Sequence, residues 1–161
     1  MLGFLTRRPP CDGAGLLDSK LLNEETFYPA FLKDLKDCHT ELVIECPFVT
    51  NRRLTHLLPS LEKLKAHKVR VVIVTRDPRS HDDNSQWSGA SDAISRLQHL
   101  GVHVIYKENH HRKIAIIDRQ VLYEGSLNIL SQSNSCEIMR RICSTRLAWQ
   151  TVRFTGIDKL F

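Results

Sequence analysis

Apolar residues recur with two different periods along this chain, and the switches between them mark out its elements. Between about residues 24 and 38, Phe27, Phe31 and Leu35 return every four residues, with Leu32 on a neighbouring row, which predicts a helix with one buried face. ELVIECPFVT, residues 41–50, predicts a buried strand stopped by Pro47. Leu54, Leu57, Leu58, Leu61 and Leu64 then line one side of a second helix. KVRVVIVT, residues 68–75, runs into continuous β-branched residues, as a strand covered on both faces requires. The polar stretch 76–88, carrying Pro78, predicts a loop, and residues 90–100 a helix closed by Gly101. GVHVIY is the next strand. HRKIAIIDRQVLYEG predicts a hairpin turning at Asp118, Arg119 and Gln120, followed by a strand over 137–142 and a terminal helix after Ser144.

Helices alternating with strands, then a hairpin, imply an α/β fold with a mixed β-sheet flanked by helices, parallel first and antiparallel after. Residues 1–23, with Pro9, Pro10, Gly13 and Gly15, read as an irregular N-terminal arm, leaving 24–161 as a single domain.

Composition narrows the class. With 42% hydrophobic and 25% charged residues over 161 positions, the chain has the make-up of a globular domain and not of a disordered one. Its formal net charge of +5 favours a polyanionic partner. The opening MLGFLTRRPPCDG has no apolar run of the secretory kind, and VVIV is far too short to span a membrane, so a cytoplasmic protein is expected. The five cysteines include no CxxC pair, which argues against a zinc site and for reduced structural thiols.

The chemistry is concentrated in HRKIAIIDRQVLYEGSLN, residues 111–128. In an extended strand alternate side chains share a face, which sends His111 and Lys113 one way and Arg112, Ile114 and Ile116 the other. Ser126 and Asn128 repeat that spacing after Gly125, where the missing side chain admits a ligand or a backbone. If the hairpin pairs, imidazole, ammonium, hydroxyl and amide meet at one end of the sheet. Neutral histidine is a competent nucleophile towards phosphorus, and the other groups can absorb charge on the non-bridging oxygens. Such chemistry requires neither metal nor cofactor.

The spacing resembles the signature of the phospholipase D (HKD) superfamily, matched by His111, Lys113, Asp118, Gly125, Ser126 and Asn128, with residues 24–142 fitting the surrounding pattern of strands and helices. The resemblance implies a phospholipase D-like sandwich and a covalent phosphohistidine on His111. Lys113 and Asn128 would hold the phosphate, Ser126 would support the site, and Asp118 would be structural. It also implies a downstream acid that orients the histidine, for which Glu137 is the best match. Enzymes of this kind use two histidines, and this chain has one motif, so the resemblance implies a homodimer with His111 of the second subunit as general acid.

Other candidates carry weaker signals. Arg52 and Arg53 follow the first strand's loop and are placed for phosphate contact. Only one of Arg140 and Arg141 can face a groove from a strand. Trp87 is the aromatic residue placed to stack on a base. Asp118 also suits a turn, and His110 faces away from His111. A nuclease acting on DNA or RNA is the leading expectation, since the chain is small and basic and offers no amphipathic membrane anchor. A phospholipase or phosphatidyl transferase using the same groups stands second. A noncatalytic nucleic-acid-binding accessory protein stands third.

Overall fold

In the computed structural model, which describes residues 19–80 and 84–160, each predicted strand is present and one more is added. The strands are β1 (Ser19–Asn23), β2 (Glu41–Glu45), β3 (Arg70–Thr75), β4 (His103–Tyr106), β5 (Ile114–Ile117), β6 (Val121–Gly125) and β7 (Ile138–Cys143). The helices are α1 (Phe27–Lys36), α2 (Asn51–Ala66), α3 (Asn84–His99) and α4 (Thr145–Thr155). All seven strands join one sheet in the order β1-β7-β6-β5-β2-β3-β4. β2, β3 and β4 are parallel, and β5, β6, β7 and β1 are antiparallel.

Strand alternation divides the apolar residues between two cores. Leu42, Ile44, Val71, Ile73, Ala115, Ile117, Tyr123 and Met139 pack with the apolar faces of α1, α2 and α3. Val43, Val72, Ile116, Leu122 and Ile142 pack instead beneath Ala148 and Val152 of α4. β2 is buried at all five positions, which explains its nearly unbroken apolar run. The mixed, helix-covered sheet is therefore as expected.

Four local readings need correction. Ser19–Asn23, assigned to the N-terminal arm, pairs along its whole length with β7 as an edge strand, so the domain begins before residue 24. Helix α3 starts at Asn84, inside the stretch read as loop, because no residue after Pro78 prevents it. Cys143 is disulfide-bonded, whereas Cys38, Cys46 and Cys136 are thiols outside any disulfide. The reading of all five cysteines as reduced thiols therefore fails at Cys143. Finally, β5 begins at Ile114, so His111 and Lys113 stand on the segment entering the strand, not within it.

The hairpin turn is tight. Asp118 and Arg119 both have positive φ, 51° and 53°, and Gln120 N–H donates to the Ile117 carbonyl at 3.0 Å. A turn of this hand matches the right-handed twist of the strands it joins. Among the described residues no helix is long and apolar enough to cross a membrane.

Candidate active site

Strand polarity gathers the motif at one edge. Ile114 of β5 pairs with Glu45, the last residue of β2, and with Glu124 near the end of β6. Gly125 pairs with Met139, near the start of β7. The entry to β5, the exit of β6 and the entry to β7 therefore meet where the parallel strands end. His111, Lys113, Gly125 and Ser126 line one open pocket of about 460 Å³ there, with Arg112, Ile114 and Glu124.

The contacts within this group are specific. The Lys113 ammonium donates to the His111 carbonyl at 2.7 Å and lies 2.9 Å from His111 Nδ1. An ammonium can only donate, so this contact places the neutral ring's proton on Nε2. Burial pulls the Lys113 ammonium below its usual pKa, with Cys46 and Glu137 opposing the shift. Ser126 Oγ donates a very short hydrogen bond to Glu137, and Ser135 Oγ donates to the same carboxylate at 2.7 Å. The Ile138 N–H donates to Ser126 Oγ at 3.1 Å, which locks the exit of β6 to the entry of β7. Glu137, expected to orient His111, is instead held by these two serines. Asn128 is half-buried, and its Oδ1 is closed off without a hydrogen-bond partner among the described residues.

Gly125 is required by the backbone. A Cβ there would run into the Ile138 carbonyl oxygen and come within 2.9 Å of Met139 Cα, so β7 occupies the space a side chain would take.

The residues on either side of His111 anchor it from the opposite face. Arg112 Nη1 donates to Glu45 Oε1 at 3.2 Å and to the Thr155 carbonyl at the end of α4 at 3.4 Å. His110 is buried, with Nε2 3.7 Å from Glu45 Oε2, and neither atom has a hydrogen-bond partner among the described residues. Burial, followed by the charges of Arg112, Lys107, Lys113 and His111, holds the His110 imidazole down to a pKa of about 4. Burial pushes the Glu45 carboxyl up, against the pull of Arg112 and Lys107. Glu45 is concealed in the sequence by the apolar run around it. Its signal was a charge inside ELVIE, since a fully buried carboxylate must have partners.

The remaining candidates separate. Asp118 lies at the far end of β5, where its carboxylate accepts from the backbone of His39, Thr40 and Glu41 and from the Thr40 hydroxyl, at 2.8–3.0 Å. Arg53 donates to the Gln132 carbonyl at 2.7 and 3.2 Å and stacks 3.9 Å over the Tyr28 ring, so its guanidinium braces the loop after Asn128. Arg52 is exposed in the first turn of α2. Arg141 forms an ion pair with the buried Asp34, while Arg140 faces a second pocket with Leu21, Glu124, Gly125 and Ile138. The side chain of Trp87 lies outside the described residues.

Residues 31–153 match the sequence model of the family described as "Cardiolipin synthase, PLD-like domain". No curated protein sequence matches the chain. Among solved structures, it is similar to Nuc from Salmonella typhimurium, a phospholipase D family member. The TM-score is 0.68 at 16% identity, over 84% of this chain and 90% of that one. It is also similar to NucT from Helicobacter pylori, with a TM-score of 0.66 at 15% identity, over 84% and 91% of the two chains. Phosphatidylserine synthase of Haemophilus influenzae Rd KW20 gives a TM-score of 0.65 at 14% identity, over 86% of this chain and 38% of that one. At such identities the likeness concerns the fold.

Proposed function

The chain belongs to the phospholipase D-like family, and from that premise we propose that it is a metal-independent phosphodiesterase that hydrolyses DNA or RNA. The observation that carries the reading is the meeting of His111, Lys113 and Ser126 in one pocket, with Glu137 bonded to Ser126. In the proposed reaction, His111 Nε2 attacks phosphorus and the bond to the leaving oxygen breaks as that oxygen takes a proton from a second imidazole. Water then attacks the phosphohistidine, giving up its proton to the same second imidazole and restoring His111. Lys113 and Asn128 donate to the non-bridging oxygens.

The nucleophile must carry its proton on Nδ1, whereas the Lys113 contact describes the opposite tautomer. Phosphate binding would draw the ammonium from Nδ1 to oxygen and free the ring to switch. His110 cannot serve as the second imidazole, because it is buried on the other face of the sheet. The burial of His110 supports the reading in which the acid is His111 of a second copy and the active form is a homodimer.

A net charge of +5 supports nucleic acid as the substrate. The family description and the likeness to a phosphatidylserine synthase favour a second reading, phosphatidyl hydrolysis or transfer at the same groups. The test is incubation with plasmid, single-stranded DNA, RNA and phosphatidylcholine vesicles, all in EDTA, beside His111→Ala. Cutting of nucleic acid that survives EDTA and is absent from the variant is expected, with a bell-shaped pH–rate profile. Headgroup release without nicking would establish the second reading, and an active monomer in sedimentation would refute the shared site.

A further inference from the structure

Two of the three parallel strands leave the sheet directly into a cation, at the edge that carries His111. Arg76 follows the end of β3, and Lys107 follows the end of β4. Lys107 N–H still bonds the Thr75 carbonyl at 2.9 Å, which keeps the two exits side by side. Hydrogen-bonded strands lie about 4.8 Å apart, so the order β5-β2-β3-β4 sets Arg76 roughly 10 Å along the edge from the entry to β5, with Lys107 one strand beyond.

Arg76 is the informative one. Its side chain is half-buried, and its guanidinium carbon lies 5.7 Å from the centre of the Phe48 ring. Its Nε is shut off from solvent with no acceptor among the described residues. Among the described residues, the acids at this edge have other company. Asp77 accepts from the Arg79 guanidinium at 2.7 and 3.1 Å, Glu45 from Arg112, and Glu137 from two serines, while Glu108 stays in solvent. A guanidinium held half out of water with a buried donor unmet is unfavourable until an anion meets it, and its planar fork suits phosphate oxygens.

We propose that Arg76 binds a phosphate flanking the one that is cleaved, so that the substrate is a polymer of phosphodiesters laid across the strand exits. This rests on the phosphodiesterase reading above and narrows it, since a lone lipid diester has no second phosphate to offer.

The test measures binding of a fluorescein-labelled 20-nucleotide single-stranded DNA by anisotropy at several salt concentrations, with every protein also carrying His111→Ala. Arg76→Gln should flatten the plot of log affinity against log salt by about 0.7, the value for one lost phosphate contact on a single strand. Arg76→Lys should keep most of the slope, because the charge remains. Lys36→Gln, which removes the same charge from an exposed site on α1, should not flatten it. An unchanged slope in Arg76→Gln, or equal flattening in Lys36→Gln, overturns the proposal. With His111 intact, Arg76→Gln should lower kcat/KM on the oligonucleotide about fivefold more than on bis(p-nitrophenyl) phosphate. Equal losses on both substrates would also overturn it. A parent chain inert to both would instead sink the phosphodiesterase reading, and the anisotropy slopes would still decide Arg76.

Discussion

Replacing Asp118 should cost stability and leave the chemistry of each folded molecule intact, although Asp118 belongs to the same motif as His111. Its carboxylate collects three backbone N–H groups and one hydroxyl from the loop between α1 and β2. Burial alone would raise its pKa, but the N–H groups of Glu41, His39 and Thr40 outweigh that and hold it below the ordinary 3.8. One of those donors sits on Glu41, which is buried, and a bond there to a charged acceptor is worth about 1.5–3 kcal/mol. Residue 118 also has φ of 51°, where alanine in place of aspartate adds about 1 kcal/mol of strain. With the exposed donors included, Asp118→Ala should lose about 3–5 kcal/mol, a large share of a typical domain's stability. Asp118→Asn tolerates the backbone and keeps one acceptor, so it should lose about half as much. The sign with pH is fixed by the depressed pKa. The contribution is present above 3.8 and disappears as pH falls through the lower folded value. Urea unfolding at pH 7 and pH 3 measures both effects, with the catalytic rate normalised to folded protein. An Asp118→Ala chain as stable as the parent, or a stable one without activity, would refute this division of roles.

Other expectations can be checked by the same methods. Gly125→Ala must push a methyl against β7 and should cost about 1–3 kcal/mol in urea unfolding; a neutral result would mean that β6 and β7 can separate there. His110 is held at about 4 against an ordinary 6.5, and its side chain is 1% exposed. Its contribution is therefore present above pH 6.5 and lost as pH falls through about 4, to a total of about 3 kcal/mol. His110→Asn should flatten that acid loss, and Glu45, whose shift runs the other way, is common to both chains. Arg53→Ala and Arg53→Lys should each lose about 1.5–3 kcal/mol, because the two bonds to Gln132 need the guanidinium fork. Arg52→Ala should leave stability within about 0.5 kcal/mol and weaken only the salt dependence of DNA binding.

How much of this was readable from the sequence depended on whether a residue's role follows from its own neighbours in the chain. The period of four in α1 and the apolar run of β3 reported their burial directly, and the two-residue spacing of His111 and Lys113 survived even though the strand starts later than expected. Ser19–Asn23 could not be read, because its strand character comes from pairing with β7, more than a hundred residues away. Arg53 looked like a phosphate ligand because the sequence does not reveal that Gln132 offers it a carbonyl. Glu137 was found at the right edge, yet its partners are Ser126 and Ser135, a choice made by the closeness of β6 and β7 at Gly125. Glu45 is legible in hindsight as a charge in a buried strand, which needs the company that His110, Arg112 and Lys107 give it.

The hairpin that bears the motif is tied down on both faces and at both ends. At its entry Arg112 and His110 are drawn to Glu45 and α4, which leaves His111 and Lys113, alternating with them, to project the other way. At its turn Asp118 is bound into the loop after α1. Its exit is locked to β7 through Ser126 and Ile138. An exposed histidine on an unconstrained segment would have to be ordered for each reaction, at a cost of about 1–2 kcal/mol per backbone residue fixed. Here folding orders it beforehand, so in the proposed phosphodiesterase binding energy from the substrate would remain for the chemical step. In the proposed reaction Asp118 and Glu45 would act from outside the pocket, and their substitutions should change the rate only as far as they loosen the segment that carries His111.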